Sequence, residues 1–315
     1  MNWSYILQRL GLALLVVLGV TIAVFAIIQL VPGDPARVVL GVQANDENVA
    51  ALRERMGLNR PVVEQYFSWL GGAIRGDFGN SLITGQPVGP QLWHRLPATL
   101  QLATFSLLIG MAISFPLGIL SALYRGTKFD LVASIVSQIG VSIPDFWLGI
   151  LLVLLFSLHL RWLPPSGYDS LSEGVVPWFN HIILPAVTAG LISGSVQTRF
   201  IRSAMIDVLH TNYIRTARGK GLPESVVVRR HALRNALISI VTIIGLQMTA
   251  LFSAIVTVEI VFAWPGLGRL ALDAVLDRDY FLVQGTVFVF AVMIVAINLL
   301  VDLLYFFLDP RIEYA

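Results

Sequence analysis

An all-α integral membrane protein with six transmembrane helices is the fold class this sequence predicts, on three observations. Of its 315 residues, 56% are hydrophobic and only 13% are charged, too apolar a balance for a soluble globular domain. Several apolar runs are long enough to cross a hydrocarbon layer of roughly 30 Å as helices. The basic residues gather in short loops beside these runs, which is how a multi-pass protein records its orientation.

Leu10 to Val31 forms the first span after Arg9. It exceeds a signal-peptide core, and no small-residue cleavage site follows, so it reads as a retained helix with its N-terminus inside. Pro32-Gly33-Asp34-Pro35 stops it, because two prolines and a glycine cannot continue a helix. Residues 32–97 then form a mixed polar segment expected outside, with helical composition over Asn45 to Met56. Near-helical apolar spacing follows at Val63, Phe67, Leu70 and Ile74. The second span runs from Ala98 to Tyr124, ended by Arg125 and Lys128, and the third from Leu131 to Leu160.

Within the third span, Ser142-Ile143-Pro144-Asp145-Phe146-Trp147 interrupts the apolar run near its middle. An Asp at that depth costs about 2.5–3.5 kcal/mol on insertion scales. Asp145 is therefore expected to face the bundle or a water-filled path, as a lining residue or as the partner of a neighbouring helix. Arg161 to Asn180, with three prolines at 164, 165 and 177, is a second outside loop. The fourth span, His181 to Ala204, carries Ala186, Gly190 and Gly194 four apart, a close-packing face. The fifth, Ala236 to Phe262, holds Glu259 near its outer end, ahead of Ala263-Trp264-Pro265-Gly266-Leu267-Gly268-Arg269, where a tight turn or re-entrant backbone is expected. Glu259 fits the pathway or a pair with Arg269. The sixth span, Phe281 to Leu308, has Asn298 and Asp302 four apart, a spacing suited to helix–helix hydrogen bonding. Twelve of the 21 Lys and Arg residues fall on the inside by this placement, which puts both termini in the cytoplasm.

The longest polar run of the C-terminal half, Asn212 to Asn235, has internal order. Leu209, Tyr213 and Ala217 fall at i, i+4 and i+8, one stripe of a short docking or surface helix. Gly219 and Gly221 supply positive-φ positions to end that helix, and Pro223 with Glu224 can open the next. Eight Lys/Arg against two Asp/Glu between Arg199 and Arg234 mark an inside loop.

This loop resembles the coupling (EAA) loop of ABC importer permeases, in the form of the dipeptide/oligopeptide/nickel branch. Arg215, Thr216 and Ala217 match the triplet, Gly221 the glycine, and His231-Ala232-Leu233-Arg234-Asn235 the closing element. Arg215 and Arg234 stand where the general consensus has an acid and a proline, which favours the peptide branch over sugar-type permeases. Pro32-Gly33-Asp34-Pro35, Ser142 to Trp147 and Trp264 to Leu270 resemble three further elements of that family, in the same order along the chain.

The resemblance implies a type I importer permease with a first span (1–31), an outside segment (32–97) and a core (98–315) containing the coupling loop 205–235. It implies coupling to an ATPase through Tyr213, Arg215, Thr216, Ala217 and Gly221. Pathway or gating roles are expected for Pro144, Asp145, Phe146, Glu259, Trp264 and Pro265. Its implied partners are a second homologous permease, two ATPase subunits that bind the ATP and Mg, and an external substrate-binding protein, in a bacterial plasma (inner) membrane. The substrates served by the family include dipeptides, longer peptides, glutathione and nickel chelates.

The residues themselves exclude other chemistry. Cysteine is absent, so no disulfide or thiolate metal site exists. Gly219-Lys220-Gly221 lacks the pattern of a phosphate-binding P-loop, no metalloprotease or serine-hydrolase motif is present, and the five histidines are scattered. His210 and His231 flank the docking loop and read as interface residues. Net charge +2 comes from loops beside spans, not from a nucleic-acid face. A competing reading is an ion-coupled secondary transporter acting through Asp145, Glu259 and Asp302, which also calls for an inverted repeat. A purely structural membrane protein would leave those acids without purpose.

Overall fold

The computed structural model describes residues 3–30, 33–41 and 44–308. Pro32 and Arg311 lie outside the described residues, as does the side chain of Asp302. The described chain is helical, with one isolated bridge between Asn80 and Pro87. It divides into two compact units, one built from the chain up to Ala98 together with Pro265–Ala296, the other from Thr99–Trp264 and the chain from Ile297.

In the first unit, α1 (Trp3–Leu30) is a long apolar helix. α2 (Pro35–Leu40) starts at Pro35 because Asp34 caps it, its carboxylate accepting from the Ala36 N–H at 3.1 Å. α3 (Asp46–Arg55) is capped in the same manner by Asn45, and α4 (Val62–Ile74) follows a tight connection. These are the two helices expected in the segment after the first span. α4 turns an aromatic edge inward, where Tyr66 and Trp69 meet Phe25 of α1 at ring-centroid distances of 5.4 and 6.4 Å. The Tyr66 and Thr21 hydroxyls are hydrogen-bonded at 2.9 Å. α12 (Leu267–Leu276) and the start of α13 (Tyr280–Leu308) close this core with Leu267, Leu270, Leu282 and Val289. Asp279 ties the unit across a long stretch of sequence, accepting from the Ser81 hydroxyl and from the Leu82 N–H at 3.1 Å.

α5 (Val88–Leu123) begins at Val88 rather than at Ala98. Val88 and Leu92 are fully buried, and they hold an amphipathic first part of the helix that is too polar to read as membrane span.

The second unit is organised on α8 (Val175–Leu209), which packs against α6 (Lys128–Ser142), α7 (Asp145–Leu152) and α11 (Arg234–Val261). Pro185 lies inside α8 and removes one backbone donor, while Thr188, Ser195 and Thr198 return their hydroxyls to carbonyls four residues back. The small-residue stripe packs as expected. A Cβ on Gly194 would lie 2.9 Å from the Gly110 carbonyl oxygen, and one on Gly190 would lie 2.9 Å from that of Ser106. Among the described residues, five helices are long and apolar enough to cross a membrane, and six spans result when the bent pair α6 and α7 is counted as one broken span.

One buried ion pair in this unit has no local signature in the sequence. Asp130 of α6 accepts from Arg202 of α8 through Nε at 2.6 Å and Nη2 at 2.8 Å, from the Ser121 hydroxyl at 2.5 Å and from the Gly126 N–H at 2.9 Å. The carboxylate is 8% exposed and Arg202 is 30% exposed. Arg202→Met would leave that charge buried beside two neutral donors, at a cost of about 3 kcal/mol, toward the lower end for buried pairs because the arginine reaches solvent. The expected result is a clear fall in the thermal unfolding temperature of the detergent-solubilised protein, and an unchanged temperature would show that the pair contributes nothing net.

Candidate functional site

The loop between α8 and α11 is a helix, a turn and a helix. α8 ends with His210 as its C-cap, and α9 (Asn212–Gly219) starts after Thr211, whose φ of −72° and ψ of 153° are extended. This interruption resets the helical phase. The stripe expected through Leu209, Tyr213 and Ala217 is therefore replaced by Ile214 and Ala217, 0% and 7% exposed, which pack with Ile201, Met205, Val227 and Ala236. Tyr213 instead stands 42% exposed, and Arg215 and Thr216 are exposed beside it.

Only one of the two expected glycines adopts positive φ. Gly221 has φ +75°, whereas Gly219 is the last helical residue of α9. Arg218 reaches over the turn to Glu224 with two hydrogen bonds, Nε to Oε2 at 3.1 Å and Nη2 to Oε1 at 2.6 Å. Those bonds hold the Arg218 guanidinium above its ordinary range. Both groups are about half exposed, so the pair fixes the turn geometry more than it adds stability. α10 (Glu224–Val226) opens after Pro223 as the sequence indicates, and runs through a π-helical turn, Val227–Leu233, into α11. His210 Nδ1 lies 2.7 Å from the Ile206 carbonyl, and the His231 carbonyl accepts from Asn235 Nδ2 at the same distance.

The two glycines give a paired test of this geometry. Gly219→Ala meets open space in a helical conformation and should stabilise the protein by about 0.5–1 kcal/mol, whereas Gly221→Ala forces a side chain into left-handed backbone and should cost about 1 kcal/mol. Thermal unfolding of both variants in detergent checks the opposite signs.

A second set of residues surrounds the break in the third span. α6 and α7 meet at an angle of 104°. Ile143 and Pro144 are extended, and Pro144 takes the N-cap position of α7. Asp145 then falls in the first turn of α7, where the positive end of the helix dipole favours a carboxylate. It is half-buried, and among the described residues its side chain makes no hydrogen bond or ion pair. Phe146 and Trp147 are 49% and 46% exposed. The α7 helix continues as a π-helical turn, Val153–His159.

At the end of α11, Glu259 is fully buried and accepts a hydrogen bond from the Thr99 hydroxyl of α5 at 2.6 Å. The Trp264 N–H returns to the Glu259 carbonyl at 2.9 Å, and the fully buried Trp264 ring packs edge-on against Tyr168 at 4.7 Å. Ala263, at φ 52°, makes the tight turn expected here, and Pro265 and Gly266 lead into α12. Thr99 and Tyr168, which complete this cluster, carry no sequence signal, because the helix pairing that brings them to Glu259 and Trp264 spans much of the chain. Among the described residues, no group of three or more His, Asp or Glu side chains is placed to hold a metal ion.

Residues 114–314 match the family described as the binding-protein-dependent transport system inner membrane component, and residues 2–103 match the N-terminal domain that accompanies it. The chain belongs to this permease family. It is thus a permease subunit of an ABC importer, a class that works generally with ATPase and substrate-binding components. The permease is 38% identical to the dipeptide transport system permease protein DppB of Alkalihalophilus pseudofirmus, over 99% of each chain. It is 39% identical to the oligopeptide transport system permease protein AppB of Bacillus subtilis, again over 99% of each. With the glutathione transport system permease protein GsiC of Salmonella choleraesuis it shares 40%, also over 99% of each. Among solved structures, a chain of the MetNI methionine ABC transporter in an inward-facing state aligns with TM-score 0.57 and 21% identity, covering 70% of this permease and 96% of that chain. The fold is accordingly that of type I importer permeases. The ion-coupled reading of Asp145, Glu259 and Asp302 gains no support from this family.

Proposed function

We propose that this permease carries short peptides inward across a bacterial inner membrane, with both termini cytoplasmic, as one half of a translocation pathway completed by a second, homologous permease. Two ATPase subunits bind and hydrolyse ATP with Mg, and an external binding protein delivers substrate; the permease itself is not catalytic. The observation that carries this reading is the end-to-end relationship to permeases named for dipeptides, oligopeptides and glutathione, which includes the segment between the first two spans.

Coupling runs through α9. Ile214 and Ala217 anchor it to the permease, and the exposed Tyr213, Arg215 and Thr216 engage a cleft in the ATPase, with Gly221 setting the turn. Closure of the ATPase pair on ATP moves α9 and biases the spans between inward-open and outward-open states. Pro144, Asp145 and Phe146 at the broken span, and Glu259, Trp264 and Pro265 at the end of α11, line or gate the pathway. The test is purification from the native membrane in mild detergent. A second permease and ATPases should accompany the chain, with vanadate-sensitive hydrolysis and ATP-dependent dipeptide uptake after reconstitution. A lone chain without ATPase activity, under crosslinking that retains loosely held subunits, would overturn the proposal.

A further inference from the structure

The first unit contains a cavity of about 630 Å³ lined by residues of that unit. That volume is in the range of small-molecule sites, which are typically roughly 300–1,000 Å³. Its walls are aromatic, formed by Phe25, Trp69, Phe78 and Phe281, but its polar groups are what define a ligand. Tyr280 and Gln284 sit four residues apart on one face of α13, line the cavity and are 8% and 5% exposed. Among the described residues, neither the Gln284 amide nor the Tyr280 hydroxyl has a hydrogen-bond partner. The Trp69 Nε1 of the same lining is buried and has no hydrogen-bond partner among the described residues; a buried donor left so costs about 1–3 kcal/mol, and it is poised with the Gln284 amide for something that enters the cavity.

The charges of the lining are balanced. Arg53 and Asp34 pair with each other at 3.2 Å. Arg60 and Asp77 are exposed on the lining; the Arg60 guanidinium has no partner among the described residues, and Asp77 accepts only the Gly79 N–H. An unpaired guanidinium, a carboxylate with capacity to spare, an unpartnered amide and aromatic walls are the complement of a small zwitterion with an internal amide and an apolar side chain.

From this juxtaposition we infer that the cavity is a binding site for a short free peptide. The peptide carboxylate pairs with Arg60, its ammonium with Asp77, its peptide bond with Gln284, and a side chain lies on Trp69 and Phe78. This assignment rests on the reading of the chain as a peptide permease, and it adds a station on the permease itself where substrate is held.

The test uses the permease assembled with its second permease and ATPases, the external binding protein left out. Equilibrium binding of tritiated alanyl-phenylalanine is measured with N-acetyl-alanyl-phenylalanine amide, which lacks both terminal charges, as competitor. The expected result is saturable binding, weakened about tenfold in each of Arg60→Ala and Gln284→Leu and competed at least about tenfold more weakly by the capped peptide, with basal ATPase activity unchanged. Arg60 is exposed, so its variant separates loss of a contact from loss of folding. Absence of saturable binding, indifference to both substitutions, or equal competition by the capped peptide would overturn the site. So would a phospholipid that native mass spectrometry finds on the wild-type complex and not on Gln284→Leu. Uptake of alanyl-phenylalanine by proteoliposomes containing the binding protein tests the underlying reading by itself. If uptake proceeds without binding to the isolated complex, only the site falls; if uptake fails in an ATPase-active complex, the peptide reading falls and the site with it.

Discussion

Tyr213→Glu is expected to reduce ATP-driven uptake by at least about 30-fold while leaving the protein folded in the membrane. The argument starts from what holds α9 in place. Ile214 and Ala217 are buried against Ile201, Met205, Val227 and Ala236, so the helix stays seated whatever occupies position 213. Tyr213, 42% exposed on the opposite side, is a large aromatic that this chain does not cover. Aromatic anchors at the centre of an interface typically contribute about 2–4 kcal/mol, which is roughly 30- to 1,000-fold in affinity. A glutamate there removes the apolar area and, on the proposed coupling, puts an unpaired charge into the interface with the ATPase. Size-exclusion chromatography and thermal unfolding should match wild type, while ATPase subunits dissociate and binding-protein-stimulated hydrolysis is lost. Wild-type uptake in this variant would show that Tyr213 lies outside the coupling interface. Ile214→Glu is the contrasting variant, since it should unfold the loop from within.

How much of this arrangement could be read beforehand depends on the range of each interaction. The spans follow from local hydrophobicity, and the break at Ser142 to Trp147 follows from a proline and an acid placed where lipid tolerates neither. The turn at Ala263 to Gly266 was equally local. The short helix α9 follows from its local pattern, but its buried face was misassigned, because the stripe from Leu209 to Tyr213 assumes a continuous helix and the chain interrupts at His210 and Thr211. The early start of α5 was missed for a related reason: Val88 to Pro97 is too polar to look like membrane, and becomes helical by burying Val88 and Leu92 against its own unit. Contacts such as Thr99 with Glu259, Arg202 with Asp130, and Asp279 with Ser81 were invisible. Each joins residues far apart in sequence, and a lone threonine or arginine announces no partner.

The small-residue stripe leads to the other large effect, which concerns assembly of the helices rather than coupling. In a membrane the apolar effect does not drive helices together, so close packing and interhelical polar contacts must. α5 and α8 approach at Gly110, Gly190 and Gly194, where backbone meets backbone. A Cβ on Gly194 would come within 2.9 Å of the Gly110 carbonyl oxygen and 3.1 Å of its Cα. Neither atom belongs to a flexible side chain, so nothing can move aside except the helix itself. Gly194→Leu should therefore cost about 3 kcal/mol or more, above the usual range for overpacking because the obstruction is main chain. That is a large fraction of the roughly 5–15 kcal/mol by which folded proteins are stable. The expected result is insertion of all spans with loss of the folded core, read as normal membrane targeting together with a sharply lowered unfolding temperature and rapid proteolysis. Gly219→Leu, which adds the same side chain where no atom lies within 4 Å of the new Cβ, should leave the unfolding temperature near wild type. Equal effects from the two substitutions would mean that the crossing of α5 and α8 is looser than the backbone contact implies, and that the helices are held mainly by polar links such as Ser114 to Gln197 at 3.1 Å.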